Sequence, residues 1–180
     1  MNVVGAAVPL GVWNADSLHS NVAIEVQHMG VSTFRAGFTD FDAGLVSGPD
    51  GVELRGTARV ESFDVQDEAL RPHVLGPEFL DVERHPELRF RSTAARVNHD
   101  GLVLDADLTI KGRTVPIEVR GAVSGPVADP FGNERLAVTL EAVLDRTDFG
   151  LDWQMELPNG GAALANDVKL LATLEFLKDV

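Results

Sequence analysis

Apolar and polar residues alternate along five stretches of nine positions each. The apolar faces read Val52-Leu54-Gly56-Ala58-Val60, Leu102-Leu104-Ala106-Leu108-Ile110, Val115-Ile117-Val119-Gly121-Val123, Leu136-Val138-Leu140-Ala142-Leu144 and Val168-Leu170-Ala172-Leu174-Phe176. Their alternate positions are mostly polar, such as Glu53, Arg55, Thr57 and Arg59. A period of two places one set of side chains on a dry face and the other in water, which predicts β-strands. Shorter runs add to the set: Val12 and Trp13, then Val22-Ile24-Val26-His28, Phe34-Ala36-Phe38 and Leu88-Phe90-Ser92-Ala94. Between them lie turn signals at Asp16–His19, His28–Val31, Gly48-Pro49-Asp50-Gly51, Asn98–Gly101, Lys111-Gly112, Pro126–Asn133 and Pro158–Gly161. Many antiparallel strands with short turns suit an up-and-down closed barrel.

Val65 to Asp81 lacks alternation and is the one helical candidate. Asp67 and Glu68 favour its first turn, while Pro72, Gly76 and Pro77 hold any helix there to about two turns. The fold class expected is all-β: an eight-stranded antiparallel lipocalin-like barrel with a short helical insertion, in one domain over residues 1–180.

Gly or Ala recurs near the middle of each dry face, where a packed core would carry Leu or Phe. A barrel of about eight strands holds either its own side chains or one guest molecule. On the hollow reading Gly56, Ala58, Ala106, Gly121, Ala142 and Ala172 clear a bore, and Phe38, Phe90, Leu108, Leu140 and Leu174 line it. On the filled reading the same small residues let elements approach closely. Burying a methylene contributes roughly 0.8 kcal/mol, so a five-carbon prenyl unit contributes about 3–4 kcal/mol before ordering costs. Two or three such units suffice for micromolar binding with no charged anchor.

Composition removes several alternatives. The 28 acidic residues against 15 basic ones give a net charge of −13, which disfavours nucleic acid and stable docking on anionic membranes. Without Cys there are no disulfides, thiolate nucleophiles or thiolate metal sites. No apolar run approaches the roughly 18 residues of a membrane span. The Val3-to-Val12 stretch has no basic leader, since the first basic residue is Arg35, and the expectation is a cytoplasmic protein.

The chemistry-bearing residues are scattered. His19, His28, His73, His85 and His99 show no i, i+4 pair and no His-x-His on a strand, so no metal site and no cofactor are expected. No Gly-x-Ser-x-Gly elbow is present and no catalytic residue is assigned. The chain has no Tyr; Trp13 reads as core, while Trp153, after Phe149-Gly150-Leu151, is either a barrel-closing core residue or lies near an opening, and Phe149 and Trp153 are candidates to touch a ligand. Arg146 is either a headgroup anchor or the partner of Asp145 or Asp148 in a structural ion pair.

Six segments, in order, resemble the YceI-like family of lipocalin-type polyisoprenoid-binding proteins. They are Trp13–Ser20, Gln27–Ser32, Gly37–Phe41, Glu78–Pro86, Leu108–Gly112 and Asp145–Leu151, and the likeness runs from Trp13 to about Phe176. The chain departs from the pattern at Leu70-Arg71-Pro72-His73-Val74, where many members have an Arg-Asp pair ahead of the His. The resemblance implies an eight-stranded barrel with a helical insertion, an apolar tunnel, binding of prenyl chains or related long lipids, and homodimers. The function expected is non-enzymatic binding, storage or transport of a polyisoprenoid or isoprenoid-quinone lipid, its tail in the tunnel and its polar head at the mouth. The rivals are an enzyme acting on a prenyl lipid through His and Asp at the mouth, and an interaction module built on a solid barrel.

Overall fold

A computed structural model describes residues 8–180. Of the apolar N-terminal stretch, Val3–Ala7 lie outside the described residues. Ten strand segments form one antiparallel sheet: β1 (Gly11–Ala15), β2 (Asn21–His28), β3 (Ser32–Phe38), β4 (Phe41–Gly48), β5 (Gly51–Arg59), β6 (Glu87–Asn98), β7 (Gly101–Ile110), β8 (Arg113–Ala128), β9 (Glu134–Asp145) and β10 (Leu164–Lys178). They make eight staves. β1 and β2 continue one another along β10, which pairs with β2 through Leu164–Thr173 and with β1 through Phe176–Lys178. β3 and β4 likewise continue one another on the far side, and the β1–β10 pairing closes the barrel.

The break between β1 and β2 is bridged by side chains. Ser20 Oγ donates to the Asp16 carbonyl at 2.6 Å and accepts from Glu175 N–H at 3.0 Å. Arg135 draws three carboxylates around this corner, reaching Asp16 at 2.9 Å, Asp129 at 2.9 Å and Glu175 at 2.7 Å. Within the hairpins the turns follow their residues: Lys111 and Gly112 both take positive φ (50° and 73°) between β7 and β8, as a two-residue hairpin loop requires.

The segment between β5 and β6 is mostly irregular. Its helix α1 spans only Arg71–Leu75, shorter than the run Val65–Asp81 allowed: Pro72 sits in its first turn and Gly76 ends it. Asp67 caps the turn ahead of it instead, accepting from Ala69 N–H at 2.8 Å. This insertion covers the edge of β3 that none of the described strands pairs with, through Asp64 N–H to the Gly37 carbonyl (2.8 Å) and a Phe38–Phe63 contact with ring centres 4.9 Å apart. Lys111 Nζ ties it to the β7–β8 turn by donating to the Pro77 carbonyl at 2.8 Å.

Two expectations about facing change. A bulge between Ser92 and Ala94 inserts one residue into β6, so Ala95 and Val97, not Ala94, continue the inner face. Gly121 does not clear a bore. A Cβ there would overlap the Thr139 carbonyl oxygen, so glycine is required by the close approach of β8 and β9.

The core is uneven along the barrel axis. At the end formed by the start of β7 and β9 and the finish of β10, Trp13, Leu104, Leu136, Val138 and Phe176 are fully enclosed and packed against one another. That end is plugged. Among the described residues the expected tunnel is therefore a cup, open toward the insertion.

Candidate functional site

The hollow half of the barrel holds two apolar chambers in series. The outer chamber, about 340 Å³, lies beneath α1, the β2–β3 turn and the loop from Leu151 to Ala163. The inner one, about 110 Å³, continues toward the plug between β4, β5, β6, β9 and β10. Phe38, Leu88, Leu108 and Leu170 line both and form the neck between them. Together the chambers fall within the roughly 300–1,000 Å³ typical of sites that enclose one small ligand.

Ten of the thirteen residues expected to clear the bore or meet a ligand border this space, Gly121, Ala106 and Ala142 being the exceptions. Phe38 and Leu108 stand at the neck; Gly56, Ala58, Phe90, Leu140, Ala172 and Leu174 border the inner chamber; Phe149 and Trp153 border the outer. Gly56 has room around it, since a Cβ would find nothing nearer than the Asp42 carbonyl at 3.6 Å. Ala106 and Ala142 are buried but line neither chamber. Ala106 pairs with Ser92 and Ile117, and Ala142 with Leu170 across to β10, so both serve the packing of the wall.

An aromatic corner marks the mouth. The His73 ring meets Phe79 and Trp153 edge-on, at centre distances of 4.9 and 5.2 Å, and Phe79 and Trp153 lie 5.3 Å apart. His73 Nδ1 is 3.4 Å from Glu78, at the solvent side. Met29 and Met155 border the chamber and are also exposed, giving the rim flexible apolar side chains. Sequence reasoning assigned no role to Phe79, Met29 or Met155, because the insertion and loops that carry them have no periodic signal, and it considered His73 only among the histidines of the metal and enzyme readings.

Arg146 is buried in the wall of the outer chamber and forms no ion pair with Asp145 or Asp148. Asp145 is engaged with Thr147, accepting from its N–H at 2.9 Å and its hydroxyl at 2.6 Å. The guanidinium holds backbone carbonyls instead: Nε donates to Ala165 at 2.9 Å, Nη1 to Leu151 at 2.5 Å and Trp153 at 2.8 Å, and Nη2 to Leu164 at 3.5 Å. It thus pins both ends of the loop that roofs the mouth. Burial pushes its pKa below the ordinary arginine value, against the opposing pull of Asp145 and Asp152; a guanidinium still keeps its proton.

The histidines do not converge. His19 is held by Asp16 at 2.8 Å, His99 is exposed in its turn, and His85 packs its ring where a Cβ on Gly112 would stand. Asp16, His19 and Glu175 bring possible ligand atoms within 4.8 Å of one another. Arg135 Nη1 already donates to both carboxylates, at 2.9 and 2.7 Å, so a cation occupies that position.

Comparison with known proteins agrees with the architecture. The family model described as YceI-like domain matches residues 13–176. A UPF0312 protein of Pectobacterium atrosepticum is 26% identical over 169 residues, covering 92% of this chain and 85% of its own. The crystal structure of Burkholderia cenocepacia BcnA superposes with a TM-score of 0.77 at 20% identity, covering 89% of this chain and 98% of that one. A polyisoprenoid binding domain from Saccharophagus degradans, implicated in plant cell wall breakdown, superposes at 0.65 with 9% identity, covering 95% and 100%.

Proposed function

The chain belongs to the YceI-like family, and we propose that it binds one long apolar lipid of polyisoprenoid or isoprenoid-quinone type and carries it without chemical change. The observation that carries this reading is the pair of apolar chambers joined at a neck of four side chains, closed at one end and reached from the other. Such a shape suits a chain rather than a compact solute. A tail threads the neck, and a bulkier portion stays in the outer chamber against Trp153 and Phe149. The driving force is removal of hydrocarbon from water, at roughly 0.8 kcal/mol per methylene, into space that the protein leaves empty at its own cost. A named polyisoprenoid-binding neighbour of the same fold supports the ligand class.

The test is mass spectrometry of lipid extracted from denatured protein, paired with native mass spectrometry of the intact complex. The expected result is one isoprenoid lipid per chain. Protein that carries no lipid, and takes up no prenyl chain after being stripped, would overturn the reading.

A further inference from the structure

Exposed apolar side chains gather around the mouth of the outer chamber. Met29 and Val31, 46% and 85% exposed, come from the β2–β3 turn; Met155, 60% exposed, from the Leu151–Ala163 loop; and Leu70, 37% exposed, from the turn ahead of α1. Main-chain bonds hold the first two segments side by side: Met29 N–H donates to the Ala163 carbonyl at 2.8 Å, and Ala163 N–H to the Met155 carbonyl at 2.9 Å. Met29, Leu70 and Met155 also border the chamber, so its apolar lining runs out over the rim without a break. Local preference does not explain these residues. Met29 and Gly30 both take positive φ (54° and 68°), and Val31 N–H closes the turn on the His28 carbonyl at 3.0 Å. Asn or Asp tolerates the first of those positions better than Met, and Val gains nothing from standing in water.

We propose that this rim is a docking surface for an uncharged or zwitterionic lipid bilayer, on which the protein settles mouth-down so that its ligand enters without crossing water. The proposal rests on the lipid-binding reading and adds the route of entry. An apolar patch with a polar surround marks a surface that meets another apolar one. Here the patch borders an opening, so hydrocarbon continues the chamber, whereas a protein seated on the rim would stop it. Charge selects the kind of membrane. Neither His28–Ser32 nor Leu151–Ala163 contains Lys or Arg, while Asp152 and Glu156 stand in that loop and Glu78 faces His73. With a net charge of −13 besides, an anionic surface repels this face. Trp153, half-buried at the mouth, suits the same boundary, since an indole keeps an apolar body and a polar N–H. So few side chains give a brief contact and no anchor.

The experiment follows tritiated geranylgeraniol moving from phosphatidylcholine vesicles to lipid-stripped protein, with uptake of the same probe from dilute solution measured alongside. Val31 borders neither chamber and is almost fully exposed, so Val31→Glu is expected to fold and to bind the probe from solution as before. Extraction from vesicles slows about tenfold, because a charge replaces a side chain that the bilayer would bury, and Val31→Phe speeds it. Phe131→Glu, at the plugged end, removes a still more exposed apolar side chain and leaves the rate unchanged. The unaltered protein extracts faster as vesicle concentration rises, and no faster from phosphatidylglycerol than from phosphatidylcholine. An unchanged rate in Val31→Glu, a slowed one in Phe131→Glu, independence of vesicle concentration, or a preference for phosphatidylglycerol overturns the docking surface and leaves lipid binding standing. Failure to take up the probe by either route overturns both.

Discussion

Replacing Ala172 by Phe puts an aromatic ring into the inner chamber. Ala172 stands on β10 between Val22 and Leu140, and all three border that space. The chamber measures about 110 Å³; at roughly 30 Å³ for a water-sized group it admits about four methylene-sized units. At roughly 0.8 kcal/mol each, denying them burial weakens a long chain by about 3 kcal/mol, or about a hundredfold in Kd. A chain short enough to stop at the neck loses nothing. Because the ring enters empty space, the fold is expected to tolerate it with little change in Tm. Ala142→Phe is the control: its side chain is buried but borders neither chamber, so overpacking costs about 1–3 kcal/mol of stability. Titrating prenyl or alkyl chains of increasing length against the two variants, with thermal melts alongside, separates the effects. Unchanged long-chain affinity in a folded Ala172→Phe protein would refute the two-chamber argument.

Other outcomes follow from the same geometry. Gly121→Ala forces a Cβ onto the Thr139 carbonyl and is expected to cost at least about 2 kcal/mol, read as a fall in Tm or a failure to fold. Trp13 is fully buried in the plug whereas Trp153 borders the outer chamber, so ligand shifts the emission of Trp13→Phe protein and leaves that of Trp153→Phe protein unmoved. The Asp16 carboxyl is held down to about 2 by hydrogen bonds from His19 and Arg135, and Arg135 and Asn133 hold Asp129 well below its usual range. Both are depressed relative to an unfolded value near 3.9, so their stabilisation is complete above about pH 4 and is lost as pH falls toward 2. Arg135→Met should lower Tm at pH 7 and flatten its decline between pH 4 and pH 2; equal slopes in melts across that range would contradict the assignment.

Much of the architecture was legible because each stave writes its own dry face in period two, and because the turn residues between staves are unambiguous. What a single strand does not reveal is the height at which its small residues meet those of its neighbours. Ala106 and Ala142 have the same local pattern as Ala58 and Ala172, yet register places the first pair in the wall and the second on the cavity. The plug was hidden for the same reason: Trp13, Leu136 and Phe176 come from three distant segments that converge only when β1 closes on β10. The β6 bulge leaves no mark in Ser92-Thr93-Ala94-Ala95, where either Ala satisfies the pattern. Arg146 stands out in the sequence as an anomaly in an apolar stretch, but its partners are main-chain carbonyls and not the Asp145 or Asp148 of the expected ion pair, and sequence does not display them.

The central claim is that a tail passes the neck of Phe38, Leu88, Leu108 and Leu170 and ends in the inner chamber. A lipid carrying a photoreactive diazirine at the tip of its tail, cross-linked in the complex and mapped by peptide mass spectrometry, tests this directly. The account predicts adducts on β5 and β10 around Gly56, Ala172 and Leu174. Adducts confined to the outside of the barrel or to the plugged end, near Val127 and Phe131, would contradict it.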